Sequence, residues 1–254
     1  MKKKLLGLAL AAGLTVLPAA FHARAADEPK ADAPKAADAA KAEDGFVTIF
    51  NGKDLAGWHG LEEYWSVKDG MIVGKETKEK SKQTFLVFEG GGIKDFEMRL
   101  KFKFATPDGN SGIQFRSKVV DPATSKVGGY QADFDATNKF TGIFYDEAGV
   151  AGGRGIMSKR GMKTHWGNAD KADKEEPLDK SDDEIKKAIK VGDWNDVVLR
   201  VHGNQIVYQI NGVTTTEMTD EHPTKAVADG VIALQMHAGF TMEIQFKDIK
   251  LKKL

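Results

Sequence analysis

Apolar and polar residues alternate with a period of two through much of this chain. FEMRLKFKF sends Phe96, Met98, Leu100, Phe102 and Phe104 to one side, and Glu97, Arg99, Lys101 and Lys103 to the other. Successive strand residues face opposite sides of a sheet, so such a run predicts a strand with one buried face. SGIQFRS sets Ile113 and Phe115 against Gln114 and Arg116. GYQADFD sets Tyr130, Ala132 and Phe134 against Gln131, Asp133 and Asp135. WNDVVLRVHG, GVIALQMHAG and TMEIQFKDIKLKKL read as further strands. Asp69-Gly70 and Asn211-Gly212 each lie between short alternating runs, as in a two-residue hairpin whose turn requires positive φ. Short strands at regular spacing predict an all-β fold, an antiparallel sandwich of two sheets.

The alternation fails between about Gly149 and Val191, where the chain turns glycine-rich and then charged. One long loop insertion is expected there. Ser181-Asp182-Asp183-Glu184 has the form of a capping box, so IKKAIK should close a short surface helix.

The ends read differently. MKKK, the apolar run LLGLALAAGLTVLP and the small-residue site Ala23-Arg24-Ala25 form a secretory signal peptide over residues 1–25. Residues 26–44 are almost wholly Ala, Asp, Glu, Lys and Pro, and read as a disordered linker. The folded domain is then residues 45–254, in the periplasm or secreted, with no membrane insertion once the signal is removed. The chain has no cysteine, so the core alone must hold this domain. Lys plus Arg and Asp plus Glu both number 37, which speaks against nucleic acid as a partner. No nucleophile elbow, zinc-ligand spacing, phosphate loop or calcium loop occurs. A monomer without metal or cofactor is expected.

Collecting the polar faces of the strands gives Glu97 and Arg99; Gln114 and Arg116; Gln131, Asp133 and Asp135; and Gln235 with His237. Either Phe144 or Tyr145 joins them from GIFYDE. Acids, amides, Arg, His and a ring on one shallow surface suit a carbohydrate, with Trp65, Trp58, Tyr64, Tyr130 and Trp166 as candidate stacking rings. The bland reading is a solvated sheet face, with Arg116 in a structural ion pair to one of the aspartates. Asp is poorly suited to strand interiors, so two in one strand favour function.

FVTIFNGKDLAGWHG, WSVKDGMIVG, DFEMRLKFKF, GNSGIQFRS, GYQADFD, TGIFYDE, WNDVVLRVHGNQIVYQINGV and GVIALQMHAGFTMEIQFKDIKLK together resemble the 3-keto-disaccharide hydrolase family, in order from Phe46 onward. The resemblance implies a concanavalin A-like (laminin G-like) jelly roll acting on glycosides whose C3 hydroxyl has become a ketone. In that family the strand commonly begins Gly-Tyr-Glu, and Gln131 fills the Glu position here. A C3 ketone acidifies C2–H, so a base can start β-elimination of the C1 oxygen, and water then adds. On that chemistry Asp133 or His237 is the base, Arg116 and Asn110 stabilise the oxyanion, and Tyr145 is the acid. Asp135, Gln131 and Gln235 orient sugar hydroxyls. A non-catalytic carbohydrate-binding module of the same fold is the alternative. A two-carboxylate glycosidase fits less well, because Asp133 and Asp135 point the same way about 7 Å apart rather than flanking a bond.

Overall fold

The computed structural model describes residues 45–254. The signal-peptide and linker expectations fall on residues 1–44, outside the described residues. In chain order the strands are β1 (Val47–Thr48), β2 (Trp58–His59), β3 (Trp65–Lys68), β4 (Met71–Glu76), β5 (Thr84–Phe88), β6 (Phe96–Phe104), β7 (Asn110–Asp121), β8 (Lys126–Asp135) and β9 (Phe144–Glu147). They continue with β10 (Ile156–Ser158), β11 (Met162–Trp166), β12 (Lys174–Pro177), β13 (Asn195–His202), β14 (Gln205–Ile210), β15 (Val213–Asp220), β16 (Val231–Met236) and β17 (Met242–Lys253). The single α-helix among the described residues, α1, spans Asp182–Ala188.

These strands form the expected two-sheet sandwich. The ten-stranded sheet runs β12-β11-β15-β14-β13-β6-β17-β4-β3, with β1 added on β17; the seven-stranded sheet runs β10-β9-β8-β7-β16-β5-β2. Both hairpins form as their turn residues require, with Asp69 and Gly70 at φ 50° and 74°, and Asn211 and Gly212 at 51° and 77°. The alternating face of β6 packs inward against the other sheet. Phe102 stacks on Phe134 of β8 with ring centroids 4.2 Å apart, and Phe144 of β9 meets Tyr208 of β14 at 5.9 Å. These rings are buried, and truncating one such side chain typically costs about 3–5 kcal/mol.

The stretch expected as one long loop is partly regular. It supplies β10 to the smaller sheet and β11 and β12 to the larger, where β11 pairs with β15 in parallel. Alternation could not announce β12, whose four residues are all exposed, or β11, which buries the polar Thr164 against the Ser158 hydroxyl. The capping box forms as expected: Ser181 Oγ accepts from the Glu184 N–H, and Glu184 accepts from the Ser181 N–H at 2.9 Å.

A buried ion pair fastens this segment to the body. Arg154 donates to both carboxylate oxygens of Asp220, at 3.0 and 2.6 Å, with both side chains almost wholly buried. The Tyr130 hydroxyl donates to Asp220 at 2.5 Å and accepts from the Val227 N–H, and the Arg154 guanidinium lies over the Trp166 ring. Charges out of water are tolerable only when paired and hydrogen-bonded in this way.

Candidate active site

Strand registers assemble a cleft on the smaller sheet. Gln114 faces Gln131, Gln131 faces Tyr145, and Tyr145 faces Ile156, so four adjacent strands send one residue each to the same side. In the neighbouring row Gly112 faces Asp133. The cleft has a volume of about 340 Å³, lined by Asn110, Gln131, Asp133, Tyr145, His237, Gln83, Glu147, Phe140, Ile143 and Ile156. That size suits a small organic ligand. Tyr145, not Phe144, is the residue of GIFYDE on this side, since Phe144 enters the core.

A directional run of side-chain amides underlies the cleft. Ser117 Oγ donates to Gln114 Oε1 at 2.8 Å, and Gln114 Nε2 donates to Gln131 Oε1 at 2.5 Å. Gln131 Nε2 therefore faces the acceptors Asp133 Oδ1 and Gln235 Oε1, and Gln235 Nε2 passes on to Glu147 Oε2 at 3.1 Å. Gln83 Nε2 meets the other Glu147 oxygen at 2.8 Å. Each amide is oriented by the one before it, so the donors of the series end on two carboxylates. Gly112 makes room for this arrangement: a Cβ there would lie 2.6 Å from Gln131 Cγ.

The two carboxylates are held differently. Glu147 accepts from Gln235, Gln83 and the Ala148 N–H. Asp133 accepts from Gln131 alone among side chains, and its other oxygen is left to the cleft. Burial, with Glu147 and Asp135 nearby, outweighs that hydrogen bond and pushes the Asp133 carboxyl up to about 8. It therefore carries a proton at neutral pH. Burial first, then the neighbouring Glu147 and Asp133 carboxylates, raise the Tyr145 phenol above its ordinary value, so it too stays protonated. His237 lies one residue beyond the end of β16, half-buried, with Nδ1 2.8 Å from the Ala238 carbonyl. A carbonyl oxygen only accepts, so Nδ1 carries a hydrogen, and in the neutral ring the lone pair lies on Nε2.

Four expected ligand residues do not line the cleft: Arg116, Asp135, Trp65 and Gln235. Arg116 stands at φ 45° in a bulge of β7 that turns its side chain off the cleft face and lets Ser117 reach Gln114 instead. Its guanidinium donates to the Lys94 carbonyl and to Asp95 at 2.9 Å, so neither Asp133 nor Asp135 is its partner. Asp135 is committed to its own turn: its carboxylate accepts the backbone N–H groups of Thr137, Lys139, Phe140 and Thr141. Trp65 is 2 % exposed and packs in the core, as do Trp58, Tyr64, Tyr130 and Trp166, and none of these rings lines the cleft. Gln235 meets the cleft only through Gln131 and Glu147.

Glu147, Gln83 and the apolar residues at the rim were not anticipated. Glu147 follows Tyr145 by two residues on β9, and that spacing is the signal that could have found it. Gln83 lies outside any strand and carries no such signal. Among the described residues no group of three or more His, Asp or Glu side chains is arranged to hold a metal ion, and no helix is long and apolar enough to cross a membrane.

A family comparison decides the relationship. The profile of the 3-keto-alpha-glucoside-1,2-lyase-like domain matches residues 45–252. The chain belongs to this family. That makes it a glycosyl hydrolase-like, carbohydrate-active protein, in agreement with the resemblance read from its strands. No curated protein matches it. Among solved structures, a candidate glycosyl hydrolase from Parabacteroides distasonis superposes with a TM-score of 0.52 at 19% identity, covering 82% of this chain and 99% of that one. A Bacillus subtilis protein with a galectin-like fold gives 0.51 at 10% identity, covering 82% and 94%. At these identities the likeness is one of fold, and both agree with a jelly roll.

Proposed function

We propose that this family member cleaves 3-keto-glycosides by elimination and hydration, using the cleft on the smaller sheet. The observation that carries the reading is the buried Asp133 carboxyl, with one oxygen on the Gln131 amide and the other open to a cleft that His237 also lines, its Nδ1 committed to the Ala238 carbonyl. Acid and base are then available together without a metal or a covalent nucleophile.

The strand order suggests the pose. Across the cleft the order β16, β7, β8, β9, β10 corresponds to His237, Asn110, Asp133, Tyr145 and Ile156. His237 Nε2 takes the proton from C2, with the Asn110 amide donating to the C3 oxygen as it gains charge. The C1=C2 double bond forms as the C1–O bond breaks, and Asp133 gives its proton to the departing oxygen with Tyr145 as a second donor. Water then adds at C1 of the enone while a proton returns to C2, and Asp133 recovers its own from solvent. Gln83 and Glu147 hold the remaining sugar hydroxyls, and Gln131 orients Asp133 from below. Arg116, being turned away, has no role in the reaction. We further propose that this happens outside the cytoplasm, a reading supported by the leader-like residues 1–25.

Aglycone release from a 3-keto-glucoside and from its unoxidised parent tests the reaction, with absorbance followed for the enone. Release from the keto sugar alone is expected. Sugar binding without release from either substrate would make the domain a binding module instead.

A further inference from the structure

The cleft is chemically divided. Asn110, Gln131, Asp133 and His237 lie toward β16, β7 and β8, Tyr145 and Glu147 stand on β9, and Phe140, Ile143 and Ile156 supply the apolar lip. Phe140 is 37 % exposed and Ile156 45 %, and Phe140 is the only exposed Phe, Tyr or Trp among the described residues. Exposing a ring leaves unrealised the stabilisation that burial would give. Nor is this ring on a loose loop. Asp135 gathers four backbone N–H groups of the turn, including that of Phe140 at 2.5 Å. Arg160, itself paired with Asp182 at 2.6 Å, donates to the carbonyls of Thr141 and Asn138 and fastens the turn from the other side. A rigid turn that presents an unburied ring at the rim of a polar cleft is the arrangement of a stacking platform. The Lys139 ammonium lies over one face of the ring, 5.0 Å from its centroid.

Resting on the reaction assigned to this cleft above, we infer that Phe140 and Ile156 form the leaving-group subsite, and that it takes a flat, apolar aglycone such as an aryl group. Strand order points to this occupant. With C2 at His237 and C1 over Asp133, the group on the C1 oxygen extends toward Tyr145 and Ile156. There the lip offers the carbon surface of Phe140 and Ile156. An aryl ring would bury its face on Phe140 and its edge on Ile156.

The experiment measures kcat/KM for the 3-keto derivatives of phenyl glucoside, methyl glucoside and a glucose disaccharide, in native protein, Phe140→Ala and Ile156→Ser. Aryl stacking predicts that Phe140→Ala loses about tenfold more on the phenyl than on the methyl substrate, chiefly through KM. Equal losses on phenyl and methyl would overturn the subsite. A selective loss on the disaccharide would replace the aryl group by a sugar and overturn the assigned class. Calorimetric binding of unoxidised phenyl and methyl glucosides to native and Phe140→Ala protein separates this inference from the reaction. If the native domain cleaves no 3-keto sugar, the reaction is lost, while a phenyl-selective loss of binding would still support the lip and its absence would overturn it.

Discussion

Asp133 and Asp135 leave the same face of one strand two residues apart, yet one carboxyl opens on the cleft and the other is consumed by its own turn. Asp135 meets four backbone N–H groups. Asp133 meets one side-chain amide and two neighbouring acids, and is pushed up to about 8. Like charges on one strand face are thus accommodated without a cation: one is hydrogen-bonded by backbone and the other holds its proton.

The rate should accordingly fall at alkaline pH. The proposed acid is Asp133, so kcat/KM on a 3-keto-glucoside with a poor leaving group declines as pH rises through about 8. Asp133→Asn should lower kcat by about 10²–10⁴-fold and lose that alkaline limb. With a nitrophenol leaving group, which needs little protonation, the loss should shrink. A pH–rate profile on both substrates checks this.

The same carboxyl should cost stability. Its folded value is raised from 3.8 to about 8, so over that window the folded state holds a proton that the unfolded chain has released. Stability from this group is therefore fully present below about pH 4, falls as pH rises, and levels off above about 8. Asp133→Asn should raise Tm above that of the native protein at pH 8–9, and the difference should vanish near pH 4. Thermal unfolding across this range reads the sign directly.

The amide series depends on an empty position. Gly112→Ala places a methyl against Gln131, whose side chain cannot give way without leaving Asp133 and Gln235. Overpacking of this kind costs about 1–3 kcal/mol, and kcat/KM should fall more than tenfold. Adding Gln131→Ala should relieve the overpacking but leave the buried Gln114 and Gln235 amides unpaired, so neither stability nor activity recovers in full, as denaturant titration and kinetics would show.

Arg116 and Arg154 should behave as structural residues. Arg116→Ala leaves Asp95 short of one partner and should cost about 1–3 kcal/mol, with kcat/KM within twofold of native. Arg154→Ala leaves Asp220 buried without its cation and should cost about 3–5 kcal/mol. Urea unfolding beside activity measurements separates the two effects.

Much of this was legible in the sequence, for identifiable reasons. β6 and the paired turns at Asp69-Gly70 and Asn211-Gly212 declare themselves because period-two alternation and positive φ leave few alternatives. Asp133, Gln131, Tyr145 and Asn110 share one cleft because alternation fixes their side of the strand. Alternation places Arg116 on the cleft face because it assumes an unbroken ladder, and the bulge after Phe115 resets that face. Asp135 sits at the last residue of β8, where a short acid can fold back on the following turn. Glu147 shares the cleft face with Tyr145 two residues before it on β9, a spacing that alternation does record, whereas Gln83 lies outside any strand and no local pattern marks it.

Cleavage by elimination takes the proton from C2. Incubating residues 26–254 with a 3-keto-glucoside in deuterium oxide, and reading the released sugar by mass and NMR, tests it most directly. Elimination and hydration predict deuterium at C2 of every product molecule, well above the exchange seen without protein, and no cleavage of the unoxidised glycoside. Product that retains hydrogen at C2, released equally from the unoxidised parent, would contradict the account and mark direct hydrolysis at C1.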